Sequence, residues 1–457
     1  MFRRIFLLIF IISVFIITGC SAEQIEEQFN VIINNSPKSV VIDNPYVIEV
    51  IPNQDAYLSL YLNDKEVYKD KEIKGKVSNS IQFSFEKSRG NSLRIEIRNK
   101  KGEILEYKYE NILFLPKVQI VVDKNYQGEE GMEINGRKYF KSVKNAITYI
   151  MLNQSNYNNQ RVYVFVRSGD YYEKVNIGFP NVSLIGEDVN TTKIYYDLAA
   201  GTPLPGGGTV GTSNSASVTI NSSATGFTAE NITFENSFDE LNTTITSKQA
   251  VAVLTQSNKA VFKNCKFIGN QDTLYVRGGI HYFVDCYIEG DVDFIFGDGK
   301  AVFENCVIFS IDRPGITPKG YITAASTKIG NLGFLFINCK LLTNITEPNS
   351  VYLGRPWHPS SDPYSVNSNV VFRNCYLDQH IHLDGWTAMS SKDPNTGEII
   401  WFYPDTERFF EYQNYGPGAV VNNKRRQLEG DDITLYSKEI FLGNWDVESF
   451  ILNLYEN

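Results

Sequence analysis

The chain carries no C-x-x-C pair, no G-x-S-x-G and no cluster of Lys and Arg set among aromatic residues. Each absence removes a class of function. Without C-x-x-C, a zinc or thioredoxin-type site has no support. Without G-x-S-x-G, a serine hydrolase has no nucleophile elbow. The net charge is −9 and the one basic run, Lys424-Arg425-Arg426, reads as a solvated surface turn. Nucleic acid is therefore not an expected partner. Apolar runs are short as well. IFLLIFIISVFIIT, at 5–18, has 14 residues, too few for a comfortable membrane span and typical of a signal-peptide core.

What is present starts with that leader. A basic MFRR precedes the apolar run and ITGC closes it. Small residues before a Cys resemble the lipobox of bacterial lipoproteins. The resemblance implies removal of residues 1–19 and lipidation of Cys20, with several acyl chains for stable anchoring. A protein lipid-anchored in the bacterial cell envelope is expected, at the outer membrane or cell surface. Ser21, rather than Asp, permits outer-membrane sorting.

The 457 residues suggest about three domains unless part of the chain is a solenoid. Hydrophobic residues make up 42%, enough for a sizeable core. Residues 20–115 hold the anchor Cys and then alternating strands of 5–8 residues with turn signals at Asn63-Asp64 and Lys101-Gly102. They read as a small antiparallel β-sandwich, a spacer by default. From 116 to 457 the pattern changes. FKSVKNAITYIMLN (140–153) has helical spacing and is expected to cap a solenoid end.

Five of the six cysteines define a repeat: VFKNCKF (261–267), YFVDCYI (282–288), VFENCVI (302–308), LFINCKL (335–341) and VFRNCYL (371–377). TAENITF (228–234) is a sixth copy, with Ile232 in the Cys slot. The slots are 33, 21, 20, 33 and 36 residues apart. The short intervals suit one coil each; the long ones imply inserted loops. No crossover-length helix separates the copies, so a parallel β-helix is expected rather than a βαβ sheet. Cys265, Cys286, Cys306, Cys339 and Cys375 then form an inward column. The Asn or Asp before each reads as a turn-capping ladder.

The register makes a sharper statement about two acids. Asp272 lies seven residues after Cys265, and Asp293 seven after Cys286. Equivalent positions on adjacent coils sit about 5 Å apart. Two ionised carboxylates at that distance repel by about 3 kcal/mol at an effective dielectric of ~20, or roughly two pKa units. One should keep its proton while the other stays charged. A protonated acid beside a carboxylate is a proton donor beside a nucleophile. Spacing does not name the reaction, since retaining glycosidases use carboxylates at similar separation.

Three motifs carry a family resemblance. Gln271-Asp272-Thr273-Leu274, Gly290-Asp291-Val292-Asp293-Phe294-Ile295-Phe296-Gly297 and Leu353-Gly354-Arg355-Pro356-Trp357 look like the signatures of pectin methylesterases. Lesser matches at GDYYE (169–173), Gln249-Ala250-Val251-Ala252, Gly385-Trp386 and YGPGA (415–419) extend it from about 120 to 450. The resemblance implies a right-handed parallel β-helix and demethylesterification of pectin (methyl-esterified homogalacturonan). It implies Asp293 as nucleophile, Asp272 as acid and base, Arg355 as the partner that keeps Asp293 ionised, and Gln249 and Gln271 as oxyanion donors. Trp357 would stack on a sugar, with Tyr275, Phe294, Trp386 and Thr212 as further substrate contacts. No metal or cofactor is implied, and a monomer is expected. An esterase or thioesterase on another substrate, or a non-catalytic polysaccharide-binding solenoid, are the alternatives.

Some residues depart from the pattern or mimic others. TAAST (323–327) replaces a family stretch and reads as loop variation. The aromatic residue often found after the Gly-Trp pair is replaced around Thr387–Met389. Gly206-Gly207-Gly208-Thr209-Val210-Gly211 satisfies G-x-G-x-x-G, but no helix pattern follows, so a flexible loop is expected. His380 and His382 read as surface or rim histidines. Arg313, seven after Cys306, falls one coil beyond the acids and is a candidate to help set their charge. Asp285, Glu289 and Asp291 read as structural or surface acids.

Overall fold

The computed structural model describes residues 28–456 apart from 38–39, 43–44, 86–90, 116, 158–159 and 444. The leader and Cys20 lie outside the described residues. The chain divides into two compact units.

The first comprises Val47–Phe83, Leu93–Lys108 and the described part of residues 1–36. Val31–Asn34 pairs antiparallel with Tyr46–Pro52. Ala56–Leu62 pairs antiparallel with Lys65–Ile73 on one side and Asn91–Asn99 on the other. The hairpin at Asn63-Asp64 has φ of 51° and 59°, the left-handed conformation that a two-residue turn needs and that Asn and Asp tolerate. Burial alternates along Asn91–Asn99, so Leu93, Ile95 and Ile97 face one apolar interior with Leu58 and Leu60.

The second unit contains a parallel β-helix. Each full coil gives one short strand to each of three sheets. Ala260–Lys263, Lys266–Ile268 and Leu274–Val276 form one coil; Ile280–Val284, Tyr287–Gly290 and Val292–Gly297 form the next. The register is parallel from coil to coil, with Phe262 over Phe283 and Phe283 over Phe303. The long sequence intervals are loops next to the third sheet, at 237–252, 311–319 and 355–368.

The repeat motif builds the turn between the first and second strands. Asn231, Asn264, Asp285, Asn305, Asn338 and Asn374 all have φ between 48° and 58°. The ladder is thus selected for a left-handed backbone, which Asn and Asp adopt more readily than other side-chain-bearing residues. The residue after each turns inward. Cys286, Cys306 and Cys339 donate S–H to the carbonyls of Phe262, Phe283 and Phe303, one coil back, at 3.3, 3.5 and 3.4 Å. Burial pushes the thiols of Cys265, Cys286, Cys306 and Cys339 well above their ordinary pKa, which makes this column unreactive. Beside it run stacked rings. Phe262, Phe283, Phe303, Phe336 and Phe372 follow one another at 4.8, 4.7, 4.5 and 4.4 Å between centroids.

A helix over Val143–Leu152 buries Val143, Ala146, Ile147 and Ile150 in the solenoid core. Ser142 starts it, its hydroxyl accepting from Asn145 N–H at 3.0 Å. Glu173 accepts from the free N–H groups of Val143 and Lys144 at 3.1 and 2.7 Å, a carboxylate at the positive helix end.

Two polar readings change. Arg425 is not part of a solvated turn. Its side chain is buried, donates to both Glu411 carboxylate oxygens at 2.8 and 2.6 Å, and donates to the Gly418 carbonyl at 2.7 Å. It lies against Gly385 (φ +67°), where a Cβ would press on its methylenes. His380 is also fully buried, and desolvation pushes its pKa down to about 4, so it is a neutral interior residue. His382 stacks on Tyr352 at 4.1 Å.

Arg425→Met should cost about 3–5 kcal/mol in urea unfolding, because it strands the Glu411 charge. Pairing it with Glu411→Leu should recover most of that loss.

Candidate active site

The two acids stand in register. Leu274 pairs with Ile295 and Tyr275 with Phe296, and Asp272 N–H donates to the Val292 carbonyl at 3.0 Å. Asp272 (φ 67°) and Asp293 (φ 50°) both occupy left-handed backbone. At Asp293 this breaks the alternation of Val292–Gly297, and pairing with Gly320–Ala325 shifts register between Val292 and Ile295. Strained conformations of this kind persist where neighbours over-determine them.

Arg355 separates the acids electrically. Its Nε donates to Asp293 Oδ1 at 2.8 Å and its Nη2 to Oδ2 at 2.6 Å. This two-pronged pairing fixes the carboxylate plane. The guanidinium lies 3.8 Å from the Tyr321 ring centroid, a second restraint on its position. Gly354 lets the chain pass close to the preceding coil, since a Cβ there would collide with Thr323 Oγ1. Asp272 has no such cation. Burial and then the charge of Asp293 push its pKa well above the ordinary carboxylate range, with Arg355 and the Gln271 amide pulling the other way. The pair is therefore an ionised Asp293 beside a proton-carrying Asp272.

Both acids open onto a cleft of ≈ 450 Å³. Gln249, Gln271, Arg355, Trp357, Tyr275 and Thr212 line it as well, so the structure brings these sequence-derived candidates together. Tyr275 stacks on Phe296 at 4.1 Å, and Trp357 lies tilted against Phe296 at 5.6 Å and edgewise to Tyr275 at 6.2 Å. The Gly206–Gly211 loop leads straight into Thr212 and Ser213 on the cleft wall.

Other candidates lie elsewhere. Phe294 is fully buried in the solenoid core; the backbone turn at Asp293 points it inward, and it cannot meet a ligand. Trp386 is also buried, stacked on Phe409 at 4.5 Å, and it borders a different hollow. Arg313 contacts neither Asp272 nor Asp293. Its Nε lies 3.4 Å from Asp291 Oδ2. Asp291 is no surface acid: burial first, and the neighbouring Glu240 carboxylate second, raise its pKa to about 8.

The missed residues are Phe296, Met389, Ser213 and Ala324. Phe296 was findable, because the same 21-residue register that joins the acids carries Tyr275 onto it. Ala324 belongs to TAAST, which begins on the strand Gly320–Ala325 rather than in a loop.

A family model described as pectinesterase matches residues 132–453. The chain belongs to the pectinesterase family. It is thus a carboxylic ester hydrolase by class. Pectinesterase A of Dickeya dadantii (strain 3937) is 38% identical over 333 residues, spanning 67% of this chain and 88% of that protein. Putative pectinesterase 14 of Arabidopsis thaliana is 34% identical over 65% of this chain and 79% of its own length. Among solved structures, a pectin methylesterase in complex with a hexasaccharide aligns with TM-score 0.64 and 35% identity, over 72% of this chain and 98% of that one. The pectin methylesterase of Yersinia enterocolitica aligns with TM-score 0.63 and 39% identity, over 67% and 100%. The parallel β-helix is the fold of these pectinesterases.

The raised pKa of Asp272 has a sign in stability. A carboxyl that holds its proton more tightly when folded costs stability as pH rises from its unfolded pKa toward its folded one. Asp272→Asn should therefore raise the unfolding midpoint at pH 7. The gain should shrink as pH falls through the unfolded carboxyl pKa and vanish below about pH 3, where wild type is protonated in both states, as followed by thermal unfolding across pH.

Proposed function

We propose that the protein demethylesterifies pectin, releasing methanol from methyl-esterified homogalacturonan. The observation that carries this reading is the Arg355-held carboxylate of Asp293 one coil from the buried acid Asp272, in the cleft of a pectinesterase-family chain.

Asp293 attacks the ester carbonyl carbon and forms a tetrahedral centre. The amide N–H groups of Gln249 and Gln271 donate to its oxyanion, a role worth about 3–4 kcal/mol per donor in comparable sites. The C–O bond to the methoxy group breaks, and Asp272 passes its proton to that oxygen, so methanol leaves. An acyl–Asp293 anhydride remains. Asp272, now a carboxylate, takes a proton from water as the water attacks the acyl carbon. Collapse frees the galacturonate carboxylate and regenerates both acids. Trp357, Tyr275 and Phe296 give the sugars an apolar wall, and Thr212 offers a hydroxyl at the rim.

Purified protein should release methanol from methylated pectin without shortening the chains, and Asp293→Asn should abolish release. Chain cleavage without methanol, or activity surviving that substitution, would overturn the mechanism.

We also propose that the leader ending in ITGC directs lipidation of Cys20 and holds the enzyme at the cell envelope, where polymeric substrate arrives from outside. Cell fractionation should place the wild type with membranes and Cys20→Ala in the soluble fraction.

A further inference from the structure

His358 directly follows Trp357. It is buried together with Glu407, and only 3% of each side chain is exposed. The imidazole meets an acceptor at both nitrogens. Nδ1 donates to the Pro363 carbonyl at 2.6 Å, and Nε2 lies 3.0 Å from Glu407 Oε1. A backbone carbonyl has no proton to give, so Nδ1 carries one. A neutral ring then turns a lone pair at Nε2 toward Glu407, and an ionised carboxylate would answer with another. The contact therefore needs one more proton, on Nε2 or on Oε1. In either place the pair is buried without net charge. Without that proton, two acceptors face each other in the interior.

No neighbouring charge replaces it. Arg426 Nη2 donates to the Glu407 carbonyl and Arg408 Nη2 to the Asn367 carbonyl. Both guanidinium groups feel the Glu407 charge, but these bonds go to backbone oxygens. Asp405, in the same turn, is exposed. Asp362 pairs with exposed Lys328, and exposed Asp393 accepts from Tyr364.

The pair joins two walls of the cleft. Glu407 Oε2 accepts from Ser368 N–H, and from Asn367 Nδ2 at 3.4 Å, at the far end of the 355–368 loop. His358 holds the near end, beside Trp357. The Trp357 N–H and the Ser368 hydroxyl both donate to the Ala325 carbonyl, at 3.0 and 2.7 Å. The His358 ring also stacks on Phe402 at 3.6 Å, with 9° between planes. Phe402 is the register partner of Met389 in the hairpin of Met389–Lys392 and Ile399–Phe402. Trp357 and Met389 both line the cleft, so one imidazole braces the supports of both.

We propose that His358 and Glu407 are positioning residues whose shared proton holds Trp357 and Met389 at the separation that grips the substrate. At alkaline pH the proton passes to solvent, the brace opens and the grip weakens. The inference rests on the pectinesterase reading for its ligand. It adds a control on substrate binding that is separate from the chemistry of Asp272 and Asp293.

Glu407→Gln separates the proton from the framework. Its amide N–H can donate to Nε2 of a neutral His358 while its oxygen accepts from Ser368, so the contacts survive with no shared proton to lose. Methanol release from methylated pectin is followed from neutral to alkaline pH, corrected for spontaneous ester hydrolysis. The wild-type KM should rise about tenfold over that range. In Glu407→Gln it should stay at the wild type's neutral value, with the same kcat profile in both proteins. Glu407→Ala should show the high KM at every pH; if that variant fails to fold, Glu407→Gln decides alone. Acrylamide quenching of Trp357 reads the wall without substrate, as the difference between each protein and its Trp357→Phe form. It should rise about twofold with pH in wild type and stay flat in Glu407→Gln. A flat wild type, or a rise in Glu407→Gln that matches the wild type's, would overturn the proposal. If wild type releases no methanol, the pectinesterase reading fails, and the quenching still decides whether the brace exists.

Discussion

Everything in the second unit depends on parallel register between coils. One coil lies about 4.8 Å from the next, and each position repeats on its neighbour. The spacing suits a flat ring, so Phe262, Phe283, Phe303, Phe336 and Phe372 stack with small interplanar angles. It suits a thiol that bonds one carbonyl back, so Cys fills the adjoining slot. It demands a left-handed turn between, so Asn or Asp recurs. The same register that builds a cheap core places two carboxylates face to face, which in any other fold would need two separate elements brought together.

That juxtaposition is unfavourable, and the site is the way the structure resolves it. Arg355 comes from a later coil and gives both its carboxylate hydrogen bonds to Asp293. Without a cation of its own, Asp272 answers to desolvation and to the Asp293 charge, both of which favour its protonated form. One cation on one side of the pair thus yields two chemical roles from one residue type. Tyr321 helps keep the guanidinium from moving between them.

Much of this was legible in the chain. The Cys repeat fixed the coil length, and seven residues from slot to acid fixed which carboxylates meet. The motifs pointed to Arg355, Gln249, Gln271 and Trp357, all of which reach one cleft. What failed were readings that assumed simple alternation or surface polarity. Phe294 shares a motif with Asp293, but the left-handed residue between Val292 and Phe294 reverses the face. Trp386 follows a glycine, yet Phe372 and Phe409 hold it inside. Arg425 sits in a basic run whose charge suggests solvent. Its partner, Glu411, is 14 residues away on a strand of the first sheet, so nothing local announces the pair. Burial of an ion pair is a tertiary fact, visible only once both partners have coordinates.

The conformation of the two acids adds a reason for their identity. A left-handed backbone excludes β-branched residues and favours Gly, Asn and Asp. Gly has no side chain to react, and Asn has no proton to give as a carboxylic acid would. Asp is the one residue of the three that both fits the turn and titrates. At Asp293 the turn also aims a short side chain out of a strand whose next two residues, Phe294 and Ile295, both point into the core. A longer acid would carry its carboxylate past the plane in which Arg355 holds Oδ1 and Oδ2. Backbone geometry, side-chain length and acidity therefore select the same residue at both rungs, and the solenoid's repeat supplies the second copy without a new scaffold.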